Sequence, residues 1–153
     1  MINSQSGWES VYDPGVNLLA ISAGLGPASV PEAAYNGTLW SAGGSGASTP
    51  AYVVDPFQAF TQRARQDNTW LARDFVSQHP QIDPASDACI VMINEFSSEG
   101  YDRAGLADPQ SDNPVLNVAA QCSNTIVVIH NVYIRLVDAF YVSNEVAERL
   151  SVS

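Results

Sequence analysis

The sequence has no lysine. Its basic residues are six arginines, set against sixteen Asp and Glu, for a formal net charge of -10. That balance excludes a nucleic-acid-binding role, because a phosphate backbone has to be met by clustered cations. It disfavours an anionic membrane surface for the same reason. Long hydrophobic runs are lacking too. The longest lie in segments 88–94 and 125–129, far short of the roughly 20 apolar residues that cross a bilayer. The N-terminus (MINSQSGWESVYDPG) has neither a basic residue nor an apolar core, so it does not read as a secretory leader. Cysteine is scarce. Cys89 and Cys122 are too few for a structural zinc site or a disulfide-dense scaffold. Each sits beside an apolar, strand-like run, so a buried thiol is the first expectation and a single disulfide the second. What remains is an ordinary globular composition. With 153 residues, 46% hydrophobic and 14% charged, the chain suits one domain with a core and is too apolar for a disordered polyelectrolyte.

Along the chain, residues 16–22 (VNLLAIS) read as a buried strand that Gly24, Gly26 and Pro27 terminate. Residues 28–50 are small and polar and contain GGSG. They read as a long surface loop, lacking both the Lys-Ser/Thr ending of a phosphate-binding loop and the spacing of a dinucleotide fingerprint. Asp55-Pro56 opens a helix with an apolar stripe at Phe57, Phe60 and Ala64, and Asp67-Asn68 closes it. Residues 69–76 (TWLARDFV) suggest a strand of imperfect alternation. Residues 88–94 (ACIVMIN) and 125–131 (TIVVIHN) read as core strands. Between them, Asn113-Pro114 is the expected start of a helix whose Val115, Val118, Ala119 and Cys122 share a face. Ile134, Val137 and Tyr141 fit a further amphipathic helix. Continuous apolar strands alternating with such helices predict an α/β fold with a mostly parallel sheet covered on both sides. Right-handed crossovers gather the loops that follow the strands at one sheet edge, where open α/β sheets bind ligands.

The loop after the 88–94 strand holds Glu95, Glu99, Asp102, Asp108 and Asp112, five carboxylates in eighteen residues, against the single cation Arg103. A solvated acidic loop accounts for this spacing, and so does a carboxyl group poised for acid/base work. Carboxylates also suit a hard cation, but the calcium-loop pattern is absent.

Residues 87–138, with DACIVMINEFSSEGYDRAGL, SDNPVLNVAAQCSNTIVVIHN and IRLVD in that order, resemble the C-terminal α/β sandwich domain of glycoside hydrolase family 3. The likeness is nearest to fungal secreted β-glucosidases. AISAGLGPAS, NGTLWSAGGSG and AYVVDPFQAF extend the likeness upstream. The resemblance implies a three-layer sandwich, here incomplete. It divides the chain into an N-terminal segment 1–15, a family-like domain 16–138 and a divergent tail 139–153. It also implies retaining hydrolysis of terminal β-linked glucose, with no cofactor and no metal. In this reaction a nucleophilic Asp forms a glycosyl-enzyme and a Glu serves as acid, then base. The segment Glu99-Gly100-Tyr101-Asp102-Arg103 matches the family's acid/base loop, which makes Glu99 the expected acid/base, Glu95 a lesser candidate, and Asp102 and Arg103 loop-ordering residues. Many members carry two Glu-Gly pairs in this loop, whereas this chain has one.

The family's nucleophile lies on a separate (β/α)8 barrel that 153 residues cannot hold, and no Ser-Asp-Trp motif is present. The chain is therefore expected to be a fragment that is inactive alone, with a β-glucoside or oligosaccharide as substrate and the barrel as its partner. The alternatives are a non-catalytic α/β module that binds carbohydrate or protein, and an inactive truncated gene product. Export is implied by the resemblance, by the absence of lysine and by the sequon Asn36-Gly37-Thr38, which makes Asn36 a candidate glycosylation site. His130, at the end of a strand, suits either a hydrogen-bonded cap or a substrate contact, and His79 reads as solvated. Trp8, Trp40 and Trp70 could stack on sugar rings or simply pack.

Overall fold

A computed structural model of the chain describes residues 2–4, 54–75, 77–95, 97, 103–131, 133–141 and 151–152. Among these residues five strands, β1 (Ile2–Ser4), β2 (Arg73–Asp74), β3 (Cys89–Glu95), β4 (Thr125–Asn131) and β5 (Ser151–Val152), form one sheet in the order β2-β1-β3-β4-β5. Every pairing is parallel. The helices are α1 (Pro56–Asp67), α2 (Pro109–Ala119) and α3 (Asp138–Tyr141). The predicted α/β class with a parallel sheet is what forms. β1 arises inside the polar N-terminal segment and lies between β2 and β3. The expected 16–22 strand and 28–50 loop fall outside the described residues.

β3 and β4 run in register from Cys89 beside Thr125 to Glu95 beside Asn131. Successive strand residues point to opposite faces, and the odd-numbered ones here build the core. Cys89, Val91 and Ile93 of β3 and Val127 and Ile129 of β4 pack with Val115, Val118, Cys122 and Phe140, and Ile82 and Val137 lie against them. α2 thus covers one face. On the other face Ile90 lines a cleft together with Phe60 and Ala64, so α1 stands on the side away from α2.

α1 follows its sequence signals. The Asp55 side chain accepts from the Gln58 amide at 2.8 Å, Pro56 takes the first helical position, and Asn68 closes the helix in the left-handed conformation at φ 55°. An Asn tolerates that conformation better than most residues. Phe57 meets the Phe75 ring edge to face at 5.1 Å.

Four expectations need correction. First, α2 begins at Pro109, not at Asn113-Pro114. Asp108 caps it, accepting from the Gln110 amide at 3.1 Å, and Pro114 sits inside the helix and is buried. Pro114 forfeits one backbone hydrogen bond; its burial and the polar contacts of Ser111 and Asp112 hold the turn. Second, among the described residues of the 69–76 segment, only Arg73–Asp74 is strand. Third, the helix expected through Ile134, Val137 and Tyr141 is reduced to Asp138–Tyr141. Ile134 and Tyr141 are exposed and Phe140 is buried instead. The Leu136 amide donates to the Leu106 carbonyl at 2.8 Å, and Arg103 takes the Ile134 carbonyl. Those links hold residues 134–136 out of a helix. Fourth, the two cysteines are not free thiols. Cys89 and Cys122 form a disulfide, with their Cα atoms 6.3 Å apart, inside the usual span for such a bond. It ties the start of β3 to the turn after α2.

Candidate functional site

The carboxyl ends of β3 and β4 place Glu95 and Asn131 side by side. Around Glu95 a row of alternating charges runs through the protein. Arg103 Nη1 stands 2.6 Å from Glu95 Oε1. Arg135 Nη1 is 3.8 Å from Glu95 Oε2, and Arg135 Nη2 donates to Asp112 Oδ1 on α2. All four side chains are nearly closed off from solvent, Arg135 most of all at 1% exposure. Buried charges persist only when paired, and the row Arg103–Glu95–Arg135–Asp112 meets that condition. Each guanidinium also lies over a ring, Arg103 at 5.9 Å from the Tyr133 centroid and Arg135 at 6.0 Å from that of Phe140.

Behind this row, Asp108 accepts from the Ser111 hydroxyl as well as the Gln110 amide. Burial raises the Asp112 carboxyl above its ordinary 3.8. Asp108 and Glu95 add to the rise, and Arg135 opposes it. Burial also holds the His130 imidazole below its ordinary 6.5, and its Nε2 has no hydrogen-bond partner among the described residues. His79 is exposed, as expected.

Of the residues singled out from the sequence, the structure brings together Glu95 and Arg103, with Asp112 joined to them through Arg135. Glu99, Asp102 and Asn36 lie outside the described residues. Arg103 clamps the chain at two points, on Glu95 and on the Ile134 carbonyl. Glu95 is committed to that ion pair rather than presented to solvent. Arg135 escaped the sequence reading altogether. Its one signal was an arginine within the apolar run Tyr133–Val137, directly after a core strand. Among the described residues no cluster of His, Cys, Asp and Glu could hold a metal ion, and no helix is long and apolar enough to cross a membrane.

A family profile described as the glycosyl hydrolase family 3 C-terminal domain matches residues 20–148. The chain belongs to glycoside hydrolase family 3. This family 3 chain is 54% identical over 102 residues to a probable β-glucosidase M of Aspergillus niger, covering 67% of the chain and 13% of that protein. It is 51% identical over 107 residues to the β-glucosidase cel3A of Pyricularia oryzae, covering 70% of the chain and 14% of that protein. The chain therefore spans about one-seventh of the length of these curated relatives. Among solved structures, the Chaetomium thermophilum β-glucosidase superposes with a TM-score of 0.69 at 27% identity, over 95% of this chain and 18% of that one. The Neurospora crassa family 3 β-glucosidase gives 0.66 at 25% identity, over 95% and 18%. The family 3 chain is thus short relative to its neighbours and corresponds to their C-terminal α/β domain.

Proposed function

We propose that this chain supplies the acid/base half of a retaining β-glucosidase, acting on terminal β-D-glucosyl residues, with the nucleophile provided by a (β/α)8 barrel elsewhere in the whole protein. The observation that carries this reading is the clasp at the sheet's carboxyl edge. Glu95 and Arg103, four residues before and four after Glu99, are ion-paired to each other. Four residues reach at most about 14 Å, and that short tether on either side supports assigning Glu99 to this rim. In this reading Glu99 protonates the leaving oxygen while an Asp of the barrel attacks the anomeric carbon, and Glu99 then deprotonates the water that resolves the glycosyl-enzyme. The two carboxyls must come within about 5–5.5 Å. Asp102 and Arg103 order the loop, and the bonds of Arg103 to Glu95 and Ile134 support its share of that role.

Exposed apolar side chains at the same rim, Leu106, Tyr133, Ile134 and Leu136, suit a second domain seated there. The disulfide favours an oxidising, extracellular setting, in keeping with glycosylation at Asn36. The isolated chain should turn over an aryl β-glucoside negligibly, because the nucleophile and most of the binding energy are elsewhere. In the whole protein, Glu99→Gln should lower kcat/KM, which reports the glycosylation step, by about 10²–10⁴-fold on substrates with poor leaving groups. It should do much less on dinitrophenyl glucosides, which need no protonation. An equal loss on both would remove Glu99 from the acid role.

A further inference from the structure

Trp70 is 77% exposed, so its ring is not a packing element. Trp8 and Trp40 lie outside the described residues. Trp70 comes two residues after the left-handed cap of α1 and walls a cleft of about 550 Å³ between the end of α1 and the amino end of β3. Ala88 and Ile90 mark the β3 side of this cleft. Glu95, at the far end of the same strand, belongs to the rim described above. The two places therefore lie at opposite edges of the sheet.

The polar wall of the cleft comes from Asp67, Asn68, Asp83 and Asp87. Its backbone is fixed. The Asp83 Oδ1 accepts from the Ala85 amide and the Asp83 carbonyl from the Ser86 amide, each at 2.9 Å. The Asp87 carbonyl accepts from the Asn124 side chain at 2.9 Å. The carboxylates of Asp83 and Asp87 belong to exposed residues.

We infer that this cleft is a non-catalytic binding site for a neutral β-linked gluco-oligosaccharide. Its volume falls in the range of about 300–1,000 Å³ usual for small-ligand sites. An exposed indole offers a flat apolar face whose negative quadrupole suits the C–H face of a pyranose ring. Carboxylates and an amide accept from and donate to the hydroxyls at the ring's edge. Charge narrows the class. Asp67, Asp83 and Asp87 face one cation, Arg63, which already pairs with Asp67 at 2.5 Å. A uronate or phosphorylated sugar would meet net repulsion, and a neutral one would not. The choice of a β-gluco-oligosaccharide leans on the proposed function, whereas the site itself does not involve Glu99.

Calorimetric titration of the full 153-residue chain with cellotetraose and laminaritetraose tests this, with tetragalacturonate as the anionic control. Binding of at least one neutral probe is expected, with none of the anionic one. Trp70→Ala should weaken that binding by about tenfold or more, as loss of an aromatic anchor does, and Trp70→Phe should restore part of it. Asp87→Ala should weaken it independently, with both variants checked for unchanged melting. Glu99→Gln should leave it intact. Binding that survives Trp70→Ala but disappears in Glu99→Gln would overturn the proposal in favour of the catalytic rim. Absence of neutral-sugar binding would also overturn it. So would self-association abolished by Trp70→Ala, which would make the cleft a protein contact. Failure of the Glu99 assay on the whole protein, with Trp70-dependent binding retained, would sink the β-glucosidase reading alone.

Discussion

His130 sits on β4 next to Asn94 in register, and its burial favours the neutral imidazole. The folded state therefore takes up a proton less readily than the unfolded chain. The stability this contributes is complete above pH 6.5 and is lost as pH falls through the lower, folded value. One proton changes stability by at most about 1.4 kcal/mol per pH unit across that window. Asp112 has the opposite sign. Its raised carboxyl favours folding below 3.8 and loses that effect as pH rises through its folded value. Comparing wild type with His130→Gln isolates the histidine. Urea unfolding between pH 7 and pH 5 should show wild type losing stability more steeply than the variant. Parallel slopes would show that His130 titrates alike in both states.

The disulfide acts between elements. It fastens the first residue of β3 to the turn that ends α2, closing a loop of 33 residues that contains Glu95, Arg103 and the whole of α2. Loop-entropy arguments assign a closure of that length about 4 kcal/mol. Replacing both Cys89 and Cys122 by Ala should lower the melting temperature by about 10 °C in a domain of this size. Calorimetry should show the same shift in oxidised wild type treated with reductant. A midpoint that reductant does not move would mean that the bond is not formed in solution.

The elements themselves show what the sequence could and could not express. β3, β4 and α1 were legible because apolar runs and the Asp55-Pro56 signal act locally. The start of α2 was not, because Ser111 and Asp112 are polar yet buried. Asp112 is made tolerable there by the distant Arg135, and Ser111 by Asp108 together with the distant Asn94 carbonyl. The 134–141 segment misled for the same reason. Its period of 3.6 is real, but links to Arg103 and Leu106 decide its path. The rim could be located from strand topology alone, whereas the guanidinium at its centre could not.

At the scale of the molecule, two opposing surfaces set the behaviour of the isolated chain. A net charge of -10 keeps copies apart through long-range repulsion. The apolar rim draws them together, with Tyr133 at 62% and Ile134 at 63% exposure. Salt screens the first over about 10 Å at 0.1 M and strengthens the second. Sedimentation velocity on the isolated chain should therefore show association that rises between low salt and 0.5 M sodium chloride. A Tyr133→Ser, Ile134→Ser double variant should stay monomeric across that range. Both side chains are mostly in water already, so their loss should leave the melting temperature within a degree or two, which separates surface adhesion from unfolding. Association unaffected by the double variant would mean that the rim is not the adhesive face, and the case for a second domain seated there would lose its apolar support.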